Sequence, residues 1–190
     1  LDRTAKMYIG GKQARPDSGY SRAVYGVDGA LLGHVGKGSR KDIRNAVEAA
    51  RGAQAGWAKA GGALRAQVLY FLAENLSARA EEFAARLEAL GGTHGRAEVA
   101  AAVDRVFTWA AWADKNDGAV KPVPLKGVAM ALNEPVGVIG MIAPDAPGLL
   151  GLVSVLAPAL AMGNAGVLVP SEAYALVATD FYQLLNTSDV

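Results

Sequence analysis

The stretch from Val136 to Leu185 constrains the fold of this chain most. Val136, Val138, Ile139, Met141 and Ile142 form a near-continuous apolar run of strand length, the pattern of a parallel strand buried on both faces. Leu149 to Met162 follows as an apolar helix, Ala165 to Val169 as a second buried strand, and Glu172 to Leu185 as a second helix. Strand, helix, strand, helix within about fifty residues predicts a doubly wound α/β sheet entered at its first strands. Pro158 lacks the amide that would bond the carbonyl of Ser154, so a kink is expected there, and Gly163-Asn164 stops the helix.

The residues ahead of this unit carry other periods. Met7 to Ile9, Gly10-Gly11 and Lys12 read as strand, tight turn and returning strand, because paired glycines supply the positive φ of such turns. Ala23 to Tyr25, Asp28-Gly29 and Leu31 to Val35 read as a second hairpin. At Ser39 the period lengthens to that of a helix: Ser39 and Asp42 approximate a capping box, and Ile43, Ala46, Val47 and Ala50 fall on one face of a helix running to Trp57. After Gly61-Gly62, Leu64, Val68, Leu72 and Leu76 define a second helix, with Arg65, Gln67, Glu74 and Asn75 on its other faces. Ser77 is expected to cap its continuation through Phe83, Leu87 and Leu90 up to Gly91-Gly92. A third helix, Ala97 to Lys115, turns Val99, Val103, Val106, Phe107 and Ala110 inward. Pro122, Pro124 and Pro135 then forbid helix and permit edge or hairpin strands.

Composition excludes several functions. A net charge of +1 gives no field that would gather nucleic acid or an anionic membrane surface. The most apolar stretch, Val136 to Val169, is interrupted by Pro144, Asp145, Pro147, Pro158 and Asn164, so no membrane span is expected. The mixed charges of Asp2, Arg3 and Lys6 are not those of a signal peptide. The absence of cysteine removes disulfides and thiolate metal sites and is compatible with the cytoplasm.

Local motifs are better explained by structure than by chemistry. Gly33, Gly36, Lys37, Gly38 and Ser39 hint at a phosphate cradle, but Gly38 follows Lys37 where a Walker motif needs serine or threonine. Lys37, Arg40, Lys41 and Arg44 lack interleaved aromatics and read as a solvated helix face. His34 and His94 have no metal-ligand spacing, Trp109 and Trp112 share one helical surface, and Glu81 and Glu82 diverge around theirs.

In order, MYIGGK from Met7, the hairpin at Asp28-Gly29, WADK from Trp112, NEPVGVIGMIAP from Asn133, LAPALAMGN from Leu156 and VLVPSE from Val167 resemble the aldehyde dehydrogenase superfamily. The resemblance implies an α/β, partial aldehyde-dehydrogenase-like fold with three parts. Residues 1–119 would hold N-terminal hairpins and helices, 120–135 an oligomerisation-type hairpin, and 136–190 the first strands of a Rossmann-like coenzyme domain.

It also implies functional positions, and the chain departs from them. Ala146 stands where the family has an asparagine that helps hold the oxyanion, and losing one such donor costs about 10² to 10³ in rate. Val169 stands where a lysine would engage the adenosine ribose of NAD(P), while Glu172 of the same clamp is retained. Asp145, in place of a tryptophan, adds a carboxylate near where the coenzyme pyrophosphate would lie. Ala143, Pro144 and Glu172 are therefore expected as vestigial coenzyme contacts, with no catalytic residue, no metal, and NAD(P) bound weakly or not at all. The family's nucleophile is a cysteine thiolate, which this chain does not contain.

Within the superfamily the PD pair, VLVPSE and the terminal SDV are most like the degenerate second half of family sixteen chains. The expected function is a non-catalytic module with an assembly or scaffolding role, partnered by itself or by the other half of a longer aldehyde dehydrogenase chain. The alternative is the coenzyme-side portion of an active NAD(P)-dependent oxidoreductase whose cysteine and glutamate lie outside this chain. A bare coenzyme-binding module is the third reading.

Overall fold

The structure, a computed structural model, describes residues 4–116 and 118–188, so Asp2, Arg3 and the last two residues of the SDV triplet lie outside the described residues. Strands β1 (Thr4–Ala5), β2 (Met7–Ile9), β3 (Lys12–Ala14), β4 (Ser21–Tyr25) and β5 (Leu31–Gly36) come first. β2 and β3 form the expected tight hairpin, with Gly10 and Gly11 at φ +61° and +72°. β4 and β5 pair antiparallel across the Asp28-Gly29 connection, where Asp28 Oδ1 accepts from the Ala30 amide. The short β1, unseen in the sequence pattern, runs parallel to β5, Thr4 opposite His34.

Helix α1 (Arg40–Lys59) starts at the anticipated capping box: the Asp42 amide donates to Ser39 Oγ, and the Ser39 amide donates back to Asp42 Oδ2. It extends two residues past Trp57 and meets Gly61 at φ +74°. Its buried face runs through Asp42, Ala46, Ala49, Ala50 and Trp57, and Ile43, expected inward, is 47% exposed. Capping turns Asp42 toward the hairpins, which places its neighbour Ile43 about 100° around the helix.

Helix α2 (Gly61–Ala78) buries Ala66, Val68, Leu69, Leu72, Ala73 and Leu76. Leu64, expected on that stripe, is 49% exposed. The buried repeat Leu69, Leu72, Ala73, Leu76 follows the three-and-four spacing of a helix face, from which a strict repeat of four drifts away. Arg65 lies half-buried and uses its guanidinium on the carbonyls of Ala161 and Ala58 at 3.0 and 3.3 Å. Helix α3 (Ala80–Ala89) starts without a side-chain cap, and Ser77 lies inside the last turn of α2 instead of capping α3. Helix α4 (Gly95–Trp112) begins and ends earlier than expected. At its start Gly95 faces α3 so closely that an added Cβ would lie 2.6 Å from the Ala84 carbonyl oxygen.

Next comes an antiparallel hairpin, β6 (Ala119–Lys121) and β7 (Ala129–Ala131), whose Val120, Leu125, Val128, Met130 and Leu132 are all exposed. The α/β unit follows: β8 (Val138–Ile142), α5 (Gly148–Ala161), β9 (Ala165–Val169) and α6 (Ala175–Thr187). β8 and β9 are parallel and in register from Val138 opposite Ala165 to Ile142 opposite Val169. Buried Asn164 sets this register from below, accepting from the Gly137 amide at 2.9 Å and donating to the Ala159 carbonyl.

Two expectations for this unit need correction. Val136 lies outside β8 and is 88% exposed, and Ile142 is 81% exposed, so β8 is not buried on both faces. Among the described residues β8 is hydrogen-bonded to one neighbour only, β9, and only Met141 of its side chains is buried. The second helix starts at Ala175 and not at Glu172, because the Ser171 hydroxyl accepts from the Ala173 amide and holds the chain in a turn first.

The main core lies where α2, α4 and α5 meet, with Leu69, Leu72, Phe83, Val106, Leu149 and Val153 nearly or fully excluded from water. A smaller cluster, Val24, Val35, Ala175 and Leu176, seats α6 on the β4–β5 hairpin. That second contact brings a residue of β4 to the end of β9.

Candidate functional site

In a doubly wound sheet, ligands bind beyond the carboxyl ends of the strands. Here that crest comprises residues 143–148 after β8 and 170–174 after β9. The two ends are tied together. The Ala143 amide donates to the Val169 carbonyl at 2.9 Å, and buried Ser171 donates its hydroxyl to Asp145 Oδ1 at 2.9 Å. Asp145 is thereby occupied within the fold, and its carboxylate still adds negative charge to the crest.

Ala143 is buried and offers only backbone, while Pro144 packs its ring where a Cβ on Gly151 would intrude. Ala146 is exposed and carries no polar atom on its side chain, and the Ala146–Pro147 peptide is cis. The amino end of α5 is a potential anion site by its dipole, but it is already filled. Glu98 of α4 accepts from the amides of Leu149 and Leu150 at 2.7 and 3.2 Å, and Tyr174 closes over Gly148.

Glu172 is an exposed group of the crest, with 87% of its side chain in solvent. Its partner is Arg22 of β4, 150 residues away in sequence. Arg22 Nη2 donates to the Glu172 carbonyl at 2.6 Å, and Nη1 lies 3.7 Å from Glu172 Oε2. Val169, at the end of β9, is exposed and carries no polar atom on its side chain.

The site residues expected from sequence therefore divide. The fold brings Asp145 onto Ser171 and sets Glu172 at the strand end, whereas Ala146 and Val169 supply no donor. For a dinucleotide coenzyme the fit is partial. Arg22 and Glu172 could engage the ribose end, Val169 adds nothing there, and Glu98 bars phosphate from the first helix. Sequence reasoning missed Arg22, Ser171 and Glu98, since nothing in a lone arginine, serine or glutamate signals a partner tens of residues away.

Away from the crest, Tyr8 of β2 stacks on Tyr182 of α6 with ring centroids 5.2 Å apart, and burial raises the pKa of both phenols. Among the described residues no group of three His, Cys, Asp or Glu side chains could hold a metal ion, and no helix is long and apolar enough to cross a membrane.

The fold is shared with solved structures. HpcC from Thermus thermophilus superimposes with a TM-score of 0.93 at 27% identity, over 99% of this chain and 38% of that one. PnpE, solved in complex with nicotinamide adenine dinucleotide, gives 0.93 at 27% identity over 97% of this chain and 39% of its own. Among characterised relatives, hydroxyisobutyraldehyde dehydrogenase of Mycolicibacterium austroafricanum is 33% identical over 96% of this chain, and acetaldehyde dehydrogenase 2 of Cupriavidus necator is 32% identical over 87%. The chain spans 37% and 34% of the lengths of those two enzymes. Residues 15–190 match the aldehyde dehydrogenase family, and the chain belongs to that family.

Proposed function

We propose that this chain is a non-catalytic aldehyde-dehydrogenase-like module with an assembly role. The observation that carries this reading is the crest itself: its polar groups, the substituted Asp145 and the retained Glu172, are engaged with Ser171 and Arg22, and the positions of the family's donors hold Ala146 and Val169. With no cysteine in the chain there is no thiolate to form the covalent adduct. When bound, NAD(P) supplies the hydride acceptor; this chain's residues contribute only contacts at its ribose end. The substitutions support a degenerate half like that of family sixteen chains.

Assembly is the role that the exposed surface favours. The β6–β7 hairpin carries a row of exposed apolar side chains on a two-stranded ribbon with unpaired edges, a surface that recruits a partner. The partner is a second copy of this chain or the remainder of an aldehyde dehydrogenase chain. The test of the non-catalytic reading is NADH absorbance with acetaldehyde and longer aldehydes at high protein concentration. No turnover is expected, and turnover that persists through repurification and scales with protein would overturn the reading. Light scattering over a dilution series tests assembly; a monomer at all concentrations would remove that role.

A second reading rests on a separate observation. The relatives are more than twice as long as this chain, which supports reading it as the coenzyme-side portion of an active oxidoreductase whose catalytic cysteine and glutamate lie outside this chain. Restored turnover on adding the complementary portion of a relative would favour this second reading.

A further inference from the structure

We propose that the hollow at the amino end of the β8–β9 sheet binds a small zwitterion of the α-amino acid type, Arg65 taking its carboxylate and Glu134 its ammonium group. The hollow has a volume of about 210 Å³ and lies where the carboxyl ends of α1, α4 and α5 converge on the start of α2. It is at the opposite end of the strands from the crest, so the proposal does not depend on what the crest binds.

Arg65 is fixed before any ligand arrives. Its Nε donates to the Ala161 carbonyl at the end of α5, and its Nη1 to the Ala58 carbonyl in the last turn of α1. Both partners are backbone at helix carboxyl ends, where partial negative charge holds a cation in place. Gly163 makes room for the group, since a Cβ there would stand 3.3 Å from Nη1 and 3.0 Å from the Pro135 ring. The two bonds leave Nη2 and one N–H of Nη1 without a partner among the described residues. No carboxylate pairs with Arg65, whereas Arg22, Arg79, Arg86 and Arg96 each reach one. Burial lowers the Arg65 pKa from its ordinary value, so the fold bears the cost of desolvating this cation and supplies no counter-ion. A preset guanidinium with spare donors on both Nη atoms is suited to two-point recognition of a carboxylate.

A simple anion is the poorer match, because Glu134 lines the same hollow. Its carboxylate is exposed, has no partner among the described residues and forms no ion pair with Arg65. It would repel a second negative charge, and a ligand that carries both signs satisfies both groups. Asn116 and Asn133, joined by a 3.1 Å hydrogen bond from Asn133 Nδ2 to Asn116 Oδ1, add polar wall. Pro135 and Met162 add apolar wall for a short side chain. The hollow is smaller than the roughly 300 Å³ at which drug-sized ligands are housed, which restricts the ligand to a few heavy atoms.

The experiment is NMR titration of the chain with L-alanine, propionate and ethylammonium, which differ in which of the two charges they carry. The expected result is saturable shifts of the Gly61, Asn116 and Gly163 amides with L-alanine. Its affinity should be about tenfold above that of either single-charge analogue, the effect of one charge-assisted contact. E134Q should bring L-alanine down to the level of propionate, and R65Q should bring it down to that of ethylammonium. No saturation by L-alanine, equal binding of propionate or ethylammonium, or saturable shifts confined to other residues would each overturn the proposal. If R65Q does not fold, having lost two carbonyl bonds, E134Q decides, since that side chain is exposed and holds nothing in the fold. An E134Q chain that binds L-alanine as before would overturn the proposal.

Discussion

The helical core and the strand-end crest meet at the start of α5 and differ in what they retain. Around α2, α4 and α5 the side chains interlock with almost no water contact, and Gly95 allows two helix backbones to approach within reach of a single missing methyl group. At the crest, a few residues away, Val169 and Ala146 are exposed and inert, and the polar groups bond to one another. Packing is a property of many positions at once, and loses stability at almost any change. Ligand chemistry depends on a few atoms, and changes at a few positions can alter it without disturbing the core. The contrast teaches that membership of a fold family is carried by the core and activity by the crest.

The contrast can be broken by perturbing the core first. Phe83→Ala removes a fully buried ring from the α2–α3–α4 junction and should cost ~4 kcal/mol in urea denaturation. A loss below ~1 kcal/mol would mean that the helices repack easily and that the core is not the rigid partner in the comparison. Gly95→Ala follows at up to ~3 kcal/mol, because its Cβ meets α3 backbone, which cannot rotate away.

Asp42 comes next. Burial by itself would raise its pKa, but hydrogen bonds from the Ser39 hydroxyl, the Ser39 amide and the Asp17 amide, with Lys41 nearby, outweigh burial and hold the carboxyl below its ordinary value. A lowered folded pKa stabilises fully above the unfolded value of ~3.9 and loses that contribution as pH falls through the folded value. Asp42→Asn should therefore cost ~2 kcal/mol at neutral pH and flatten the acid side of the stability profile. An unchanged profile would show that the cap does not couple α1 to the hairpins. The smallest effect is expected at the crest: Val169→Lys should strengthen NAD binding about tenfold, with no loss of stability, by returning one charged donor. If the titration is unchanged, the deficiency of the crest lies in its geometry and not in one missing cation.

Much of this was legible in the sequence because it is local. The Gly10-Gly11 turn, the Ser39–Asp42 box and the span Ala165–Val169 each depend on neighbouring residues, and the structure has them as read. The failures concern faces and partners. Ile43 and Leu64 lie on helices that were recognised, yet which arc of a helix is buried is set by what packs against it. At the crest, Glu172, Ala146 and Val169 were identified by resemblance alone, and that resemblance was silent on Arg22.

The sequence by itself determined the alternation of strands and helices, the turns and caps that divide them, and the absence of a thiol nucleophile, since each is a matter of residue type and short-range spacing. The tertiary structure alone decided that Val136 and Ile142, at either end of the apolar run, face water, that Glu98 fills the amino end of α5, and that β4 delivers Arg22 to Glu172 across 150 residues. The physical reason is that hydrogen bonds and ion pairs are selected by proximity in space, and proximity between distant residues is a product of how the apolar faces bury one another.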